Sequence, residues 1–331
     1  MQSQQIAVVT GANGFVGSHL VDLLIEKGFI VKCITRKSSN LRWLDKKNVE
    51  IHDCGLTDKD GLRRVMKDSN YIFHVAGVVK SKNPDGYFKG NVETTRNLLE
   101  VSLENKSTLK RFVVVSSLTV AGPSSDGIPV NEETECNPIT TYGRSKLEEE
   151  KLTLSFSDKL PVTICRAPAV YGERDTEIFI YFNTFSKGLT TTIGFNEKKL
   201  SLIHVTDLVN GIYLASKNEK AIGEVYFISS EKLYTWQEIN AITAQITGRK
   251  ALVVKVPHFL VYTIAAIAQF FAIYSKNAAT LNIEKAKDIT QQYWICDTSK
   301  AMRDLGYSQK ISAEEGIRRT IKWYKDMNWI K

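Results

Sequence analysis

Twelve residues near the start of the chain, Ile6-Ala7-Val8-Val9-Thr10-Gly11-Ala12-Asn13-Gly14-Phe15-Val16-Gly17, leave it few ways to fold. The Val- and Ile-rich run reads as a buried strand. It passes without a spacer through three glycines into Phe15, Val16, Leu20, Val21, Leu23 and Leu24, whose spacing suits a helix closed by Gly28. Missing side chains at Gly11, Gly14 and Gly17 permit a tight turn, close approach of a pyrophosphate to the backbone, and close packing of helix on strand. The helix start then offers N–H groups and a positive dipole end to an anion. Strand, glycine turn and helix in this order point to a bound dinucleotide.

The chain has 331 residues and 43% hydrophobic content, enough for one large domain or two unequal ones with a full core. Its net charge of +8 suits anionic small molecules, but acidic residues lie among the basic ones throughout, so no nucleic-acid partner is expected. Five cysteines without a C-x-x-C pair, two of them (Cys33 and Cys165) inside apparent strands, fit a reducing cytoplasm. With the first strand starting within a few residues of Met1, no signal peptide is expected. The apolar run from Phe259 to Tyr274 is shorter than the roughly 20 residues that span a bilayer. It is expected to be a buried or pocket-lining helix, with peripheral membrane contact as the second reading.

Further strands are expected at Phe29–Thr35, Val49–Asp53, Tyr71–Val75 and Arg111–Val115, with helices between them at Asp58–Lys67 and Phe88–Leu103. That alternation means a parallel sheet covered on both faces. An acidic residue at the end of the second strand would bond the adenosine ribose, whereas a basic one pairs with a 2′-phosphate. Arg36 and Lys37 stand there, which favours NADP(H), with NAD(H) as the alternative. His74 is expected to be structural, and no metal site is expected. Gly122–Pro138 reads as a loop. Tyr142 and Lys146 then lie four apart on the next helix and share a face. A nearby ammonium favours a phenolate, so Lys146 is expected to lower the Tyr142 pKa and make the phenol an acid or base nearer neutral pH.

These segments resemble the extended branch of the short-chain dehydrogenase/reductases, the NAD-dependent epimerase/dehydratase family. The matches are Thr10–Gly17, His74-Val75-Ala76-Gly77, Asn91–Leu99, Val115-Ser116-Ser117, Tyr142-x-x-x-Lys146, Arg166-x-Pro168 with Val170-Tyr171-Gly172, and Ile203–Leu208, in the family's order. The resemblance implies a Rossmann-type doubly wound parallel sheet with a smaller C-terminal substrate-binding lobe. Residues 1–170, with a return segment at about 202–230, would form the dinucleotide domain, and 171–201 with 231–331 the lobe. It implies Tyr142 as proton donor or acceptor, Lys146 as its partner at the nicotinamide ribose, and Ser117 holding the substrate oxygen. Cofactor contacts would come from Gly11, Asn13, Gly14, Phe15, Val16, Gly17, Arg36, Lys37, Val75, Ala76, Gly77 and Pro168, with Asp53 near the adenine if its loop shifts. Val79, Thr119 and Phe179 are the substrate-side candidates. Subunits of the family often pair through the helices at Phe88–Leu103 and Tyr142–Ser155, so a homodimer is expected. Ala121, where the family usually has Tyr, leaves room near the substrate.

Beyond Pro168 the alternation stops. Val205–Ala215 reads as a helix, Glu224–Ile228 as a strand, and Thr235-x-x-Glu238 and Ser312-x-x-Glu315 as helix starts. Phe179, Tyr181, Phe182 and Phe185 form either the lobe's own core or a greasy substrate wall. The C-terminal segments also look like the branch near dihydroflavonol reductases and beta-hydroxysteroid dehydrogenases. Interconversion of a secondary alcohol and a ketone is therefore the leading expectation for an oxidoreductase with a small-molecule substrate. A nucleotide-sugar epimerase, dehydratase or reductase follows, and a non-catalytic dinucleotide-binding protein comes last.

Overall fold

In the computed structural model, which describes residues 4–272 and 281–330, five strands lead the fold. They are β1 (Ile6–Thr10), β2 (Ile30–Ile34), β3 (Glu50–His52), β4 (Tyr71–His74) and β5 (Arg111–Ser117). The central strands β1, β4 and β5 run through largely apolar sequence. Helices α1 (Phe15–Glu26), α2 (Lys59–Met66), α3 (Pro84–Phe88), α4 (Thr94–Glu104) and α5 (Thr141–Leu154) connect them and lead to β6 (Val162–Ala167). The remaining strands are β7 (Ala169–Tyr171), β8 (Leu189–Ile193), β9 (Lys199–His204), β10 (Val225–Phe227), β11 (Leu233–Thr235), β12 (Leu252–Val256) and β13 (Tyr293–Trp294). The remaining helices are α6 (Phe179–Ser186), α7 (Val205–Lys217), α8 (Trp236–Thr247), α9 (His258–Ala272), α10 (Ile283–Thr290), α11 (Ser299–Leu305) and α12 (Ala313–Asp326).

Seven parallel strands form the main sheet in the order β10-β6-β5-β4-β1-β2-β3. Successive side chains of a strand point to opposite faces. Accordingly, Ala7 and Val9 of β1 join the layer with Leu20, Leu24 and Ile212 under α1 and α7, while Val8 joins the layer with Leu62, Leu98 and Leu99 under α2 and α4. Both faces are covered, which is why these strands carry no alternation. From β1 the chain steps outward to β2 and β3, then returns to the other side of β1 with β4. The carboxyl ends of β1 and β4 therefore flank the switch point where open sheets of this kind bind ligands.

The expected helix at 88–103 begins differently. A π-helical turn, Lys89–Glu93, separates α3 from α4 and turns Asn91 inward. There its carboxamide accepts from Val78 N at 2.6 Å and donates to Ser145 Oγ at 2.8 Å. The loop at 122–138 is pinned at its centre, where Val130 N bonds Ile295 O and Val130 O takes Asp297 N.

Strands β7, β9, β11 and β13 make a second small sheet, and β8 pairs with β12. Phe182, Leu202, Tyr234, Ile239, Ile317 and Tyr324 form the core beneath the small sheet. Thr235 and Glu238 close the reciprocal cap of α8, and Ser312 takes the Glu315 N–H at the start of α12. No helix among the described residues is long and apolar enough to cross a membrane.

The expectation of a buried helix over 259–274 is corrected by α9. Only Val261 and Ala265 are buried, against Ala286 of α10, whereas Phe259 is 72% and Phe271 66% exposed. Among the described residues the helix rests on α10 and on Ile193 and Val256 of the β8–β12 pair through a narrow stripe, so its bulky residues face outward. Tyr274 lies outside the described residues.

Helix α5 is locked to β6 by a buried ion pair, with Glu150 accepting from Arg166 Nε at 3.0 Å and Nη2 at 2.7 Å. Removing one partner of such a pair strands the other charge away from water. Glu150→Ala is expected to lower unfolding stability by roughly 3–5 kcal/mol in urea titrations; a loss below about 1 kcal/mol would show that the pair does not anchor α5.

Candidate active site

The glycine turn sits at the switch point. Gly11 has φ +65°, and a Cβ there would come within 2.8 Å of Ala76 N at the end of β4. A Cβ on Gly17 would run into Gly11 O, and one on Gly14 would lie 3.2 Å from the same oxygen. Gly14 caps α1 without any side-chain hydrogen bond, so the first-turn N–H groups face the turn unclaimed by a cap. A pyrophosphate fits a cradle of this kind: bare backbone, no Cβ, and an uncapped helix start. Among the neighbouring candidates, Phe15 and Val16 open α1, and Val75, Ala76 and Gly77 line the end of β4. Pro168 joins β6 to β7. Asn13 Nδ2 donates to Asn40 O at 3.4 Å and so ties the glycine turn to the segment after β2.

Arg36 and Lys37 are exposed immediately past β2, and Arg36 N donates to Ser39 Oγ at 3.1 Å. Asp53 is exposed just beyond β3, beside Cys54, which bridges back to Arg36. The structure therefore brings Arg36, Lys37 and Asp53 to one edge.

Ser117 ends β5, and Tyr142 lies in the first turn of α5, which Thr140 caps by accepting Gly143 N at 3.1 Å. Gly143 allows this approach, since a Cβ there would come within 2.7 Å of Thr119 O and 3.0 Å of Pro138. Ser117 and the Lys146 ammonium both lie near enough to the Tyr142 phenol to favour its ionised form. Lys146 is buried and donates to Val115 O at 3.0 Å. Ser116 Oγ and Thr119 Oγ1 are buried polar atoms with no partner among the described residues. Val79 is 58% exposed past β4, and the Phe179 ring packs edge-on against Tyr324 and Trp329 in the lobe.

One charge that sequence reasoning passed over controls the electrostatics. Glu149, fully buried, forms an ion pair with Lys146 and accepts from Thr95 Oγ1 at 2.9 Å. His74 continues the network, with Nε2 2.8 Å from Thr95 Oγ1 and Nδ1 2.7 Å from Thr10 Oγ1. Thr10 Oγ1 in turn accepts from Ala76 N at 3.1 Å. His74 is thus structural, as expected. Burial alone would lower the Lys146 pKa, but Glu149, with Tyr142 and Glu150 adding to it, makes the net shift upward. Burial would likewise raise Glu149, and Lys146 with His74 holds it below the usual carboxylate range. For Tyr142 burial dominates and pushes the phenol upward, against the pull of Lys146, while Glu149 adds to the rise. The expected pull of Lys146 on Tyr142 is present but does not set the net direction. The ammonium does pull the phenol down, but it is desolvated and largely answered by its own carboxylate.

The model of the NAD dependent epimerase/dehydratase family matches residues 7–229 of this chain. The chain belongs to that family. It is similar to a ceramide reductase of Caulobacter vibrioides, 24% identical over 326 residues that cover 98% of this chain and 96% of that protein. It is also similar to a 3-beta-hydroxysteroid dehydrogenase of Mycolicibacterium neoaurum, 25% identical over 345 residues, covering 97% and 91% of the two chains. Among solved structures, the UDP-glucose 4-epimerase of Thermotoga maritima superposes with a TM-score of 0.80 at 24% identity, over 98% of this chain and all of the other, and so shares the fold. The family is NAD-dependent and the protein is an enzyme.

The Glu149 carboxylate raises the Tyr142 pKa, so removing its charge should lower it. The phenolate needed as a base for alcohol oxidation then forms at lower pH. In Glu149→Gln the rising limb of an oxidation pH profile is expected to move to lower pH. An unmoved or upward-moved limb would remove Glu149 from control of the phenol.

Proposed function

We propose that the enzyme interconverts a secondary alcohol and a ketone with NADP(H), and that Tyr142 moves the hydroxyl proton. What carries this reading is one juxtaposition: the Tyr142 phenol with Ser117 and Lys146 near it, at the sheet edge that also holds the glycine cradle. When bound, the nicotinamide supplies or takes up the hydride. In reduction the Tyr142 hydroxyl gives its proton to the carbonyl oxygen, and the Ser117 hydroxyl holds that oxygen in line. In oxidation the same proton returns from the alcohol to the phenolate. A phenol raised above its ordinary pKa keeps its proton at neutral pH, which suits it to the acid role.

Similarity over nearly full length to a ceramide reductase and a 3-beta-hydroxysteroid dehydrogenase supports an apolar alcohol or ketone as substrate. The exposed Arg36 and Lys37 support a 2′-phosphate partner at the adenosine end. The nucleotide-sugar reading draws support from the fold shared with UDP-glucose 4-epimerase.

Tyr142→Phe is expected to leave NADPH binding nearly intact, followed by quenching of tryptophan fluorescence, and to lower turnover at least about a hundredfold. Undiminished turnover would take Tyr142 out of the mechanism. Arg36→Ala should weaken NADPH far more than NADH; equal weakening of both would refute the 2′-phosphate assignment. Denaturing the purified enzyme separates the two substrate readings. A reductase that exchanges its cofactor each cycle releases little, whereas a stoichiometric release of nicotinamide dinucleotide would favour the epimerase or dehydratase reading.

A further inference from the structure

Helix α9 carries no charged residue over its whole length, His258–Ala272, and only Val261 and Ala265 are buried. Leu260, Ile264, Ile267 and Phe271 recur at spacings of four, three and four, the spacing of a core-facing stripe, yet they are between 39% and 66% exposed. The patch continues onto the β8–β12 pair. Gly194 N donates to Val256 O at 2.8 Å beside His258, which sets Phe195, 69% exposed, next to the start of α9. Leu252 and Val254, on the same side of β12 as the Val256 that packs against α9, add 70% and 39% exposure. Apolar patches of this extent mark an interaction face.

The charges around the patch identify what it meets. In the two segments that build it, 187–197 and 248–272, the charged residues are Lys187, Arg249, Lys250 and Lys255 against the single acid Glu197. All five are exposed. A greasy face rimmed by cations is complementary to an anionic phospholipid surface. Two-fold pairing with a second copy of the chain would instead set those cations against their own images. The described turns of α9 rise about 22 Å, and no helix among the described residues is long and apolar enough to cross a membrane, so this face suits the interface plane. The face also adjoins the candidate active site. Gln269 Oε1 accepts from Ile283 N at 3.0 Å at the start of α10, and Glu284 accepts from Thr141 N at 2.9 Å, one residue before Tyr142.

We infer that α9 and the β8–β12 pair form a docking face for anionic lipid bilayers, seated beside the mouth of the active site. The inference goes beyond the oxidoreductase reading and stands whether or not Tyr142 moves a proton.

The test is co-sedimentation of the full-length protein with vesicles of phosphatidylcholine alone and of phosphatidylcholine with about one third phosphatidylglycerol. Binding to the anionic vesicles is expected to be at least about tenfold tighter and to weaken with added salt. The double variant Lys250→Glu, Lys255→Glu should lose about tenfold or more on those vesicles. The triple variant Phe259→Ser, Ile267→Ser, Phe271→Ser should lose binding to both, while its NADPH-dependent fluorescence quenching, which reads the fold and the distant cradle, stays that of the parent. Absence of binding to anionic vesicles, or equal binding by parent and triple variant, would overturn the inference. So would a solution dimer that the triple variant converts to monomer in sedimentation equilibrium without any vesicle binding by the parent.

Discussion

The buried pairing of Lys146 with Glu149 is the interaction on which the rest of the site depends. Two charges withdrawn from water are tolerated only when their remaining hydrogen-bonding capacity is met. Here Val115 O serves the ammonium, and Thr95 with His74 serves the carboxylate. The chain of contacts runs on to Thr10 and Ala76, so one polar network crosses α5, α4, β4 and β1. It joins the helix that bears Tyr142 to the strand ends that frame the glycine turn. The same pairing explains the phenol's proton. Lys146 cannot act on Tyr142 as a full bare cation while Glu149 answers it, and burial then decides the direction.

The geometry around this network is one of close backbone approach. Gly11 against Ala76, Gly17 against Gly11, and Gly143 against Thr119 each place two chain segments nearer than any Cβ would permit. The first two form the cradle, and the third lets α5 begin against the end of β5. Arg166 and Glu150 hold the same helix to β6, and Glu284 grips its first turn from α10. Helix α5 is thereby fixed at both its start and its middle, which is what a proton-transferring side chain on its first turn requires.

Much of this was legible in the sequence, for physical reasons. A run such as Ile6–Thr10 followed by three glycines has few other structures, and Tyr142 with Lys146 four residues on shares a face in any helix. Glu149 was not legible because it stands in Glu148-Glu149-Glu150, which reads as a solvated charge run; only the packing shows Glu148 exposed and its two neighbours buried. The direction of the Tyr142 shift is set first by the phenol's own burial, with Glu149 adding to it, and neither burial shows in the sequence. Gly143 occupies an unconstrained position of the Tyr-x-x-x-Lys pattern, and only the nearness of Thr119 gives it meaning. Helix α9 was misread for the opposite reason. An apolar periodicity reports that a face avoids water, but whether protein or another phase covers that face is a tertiary fact.

The account turns on the proton held by Tyr142, and that can be measured without knowing the substrate. A tyrosinate absorbance titration of the parent minus that of Tyr142→Phe isolates one phenol among the 13 tyrosines of the chain. The account predicts that the difference titrates above the ordinary tyrosine value of about 10. A difference titrating below that value would mean that Lys146 prevails over burial and Glu149, and would contradict it.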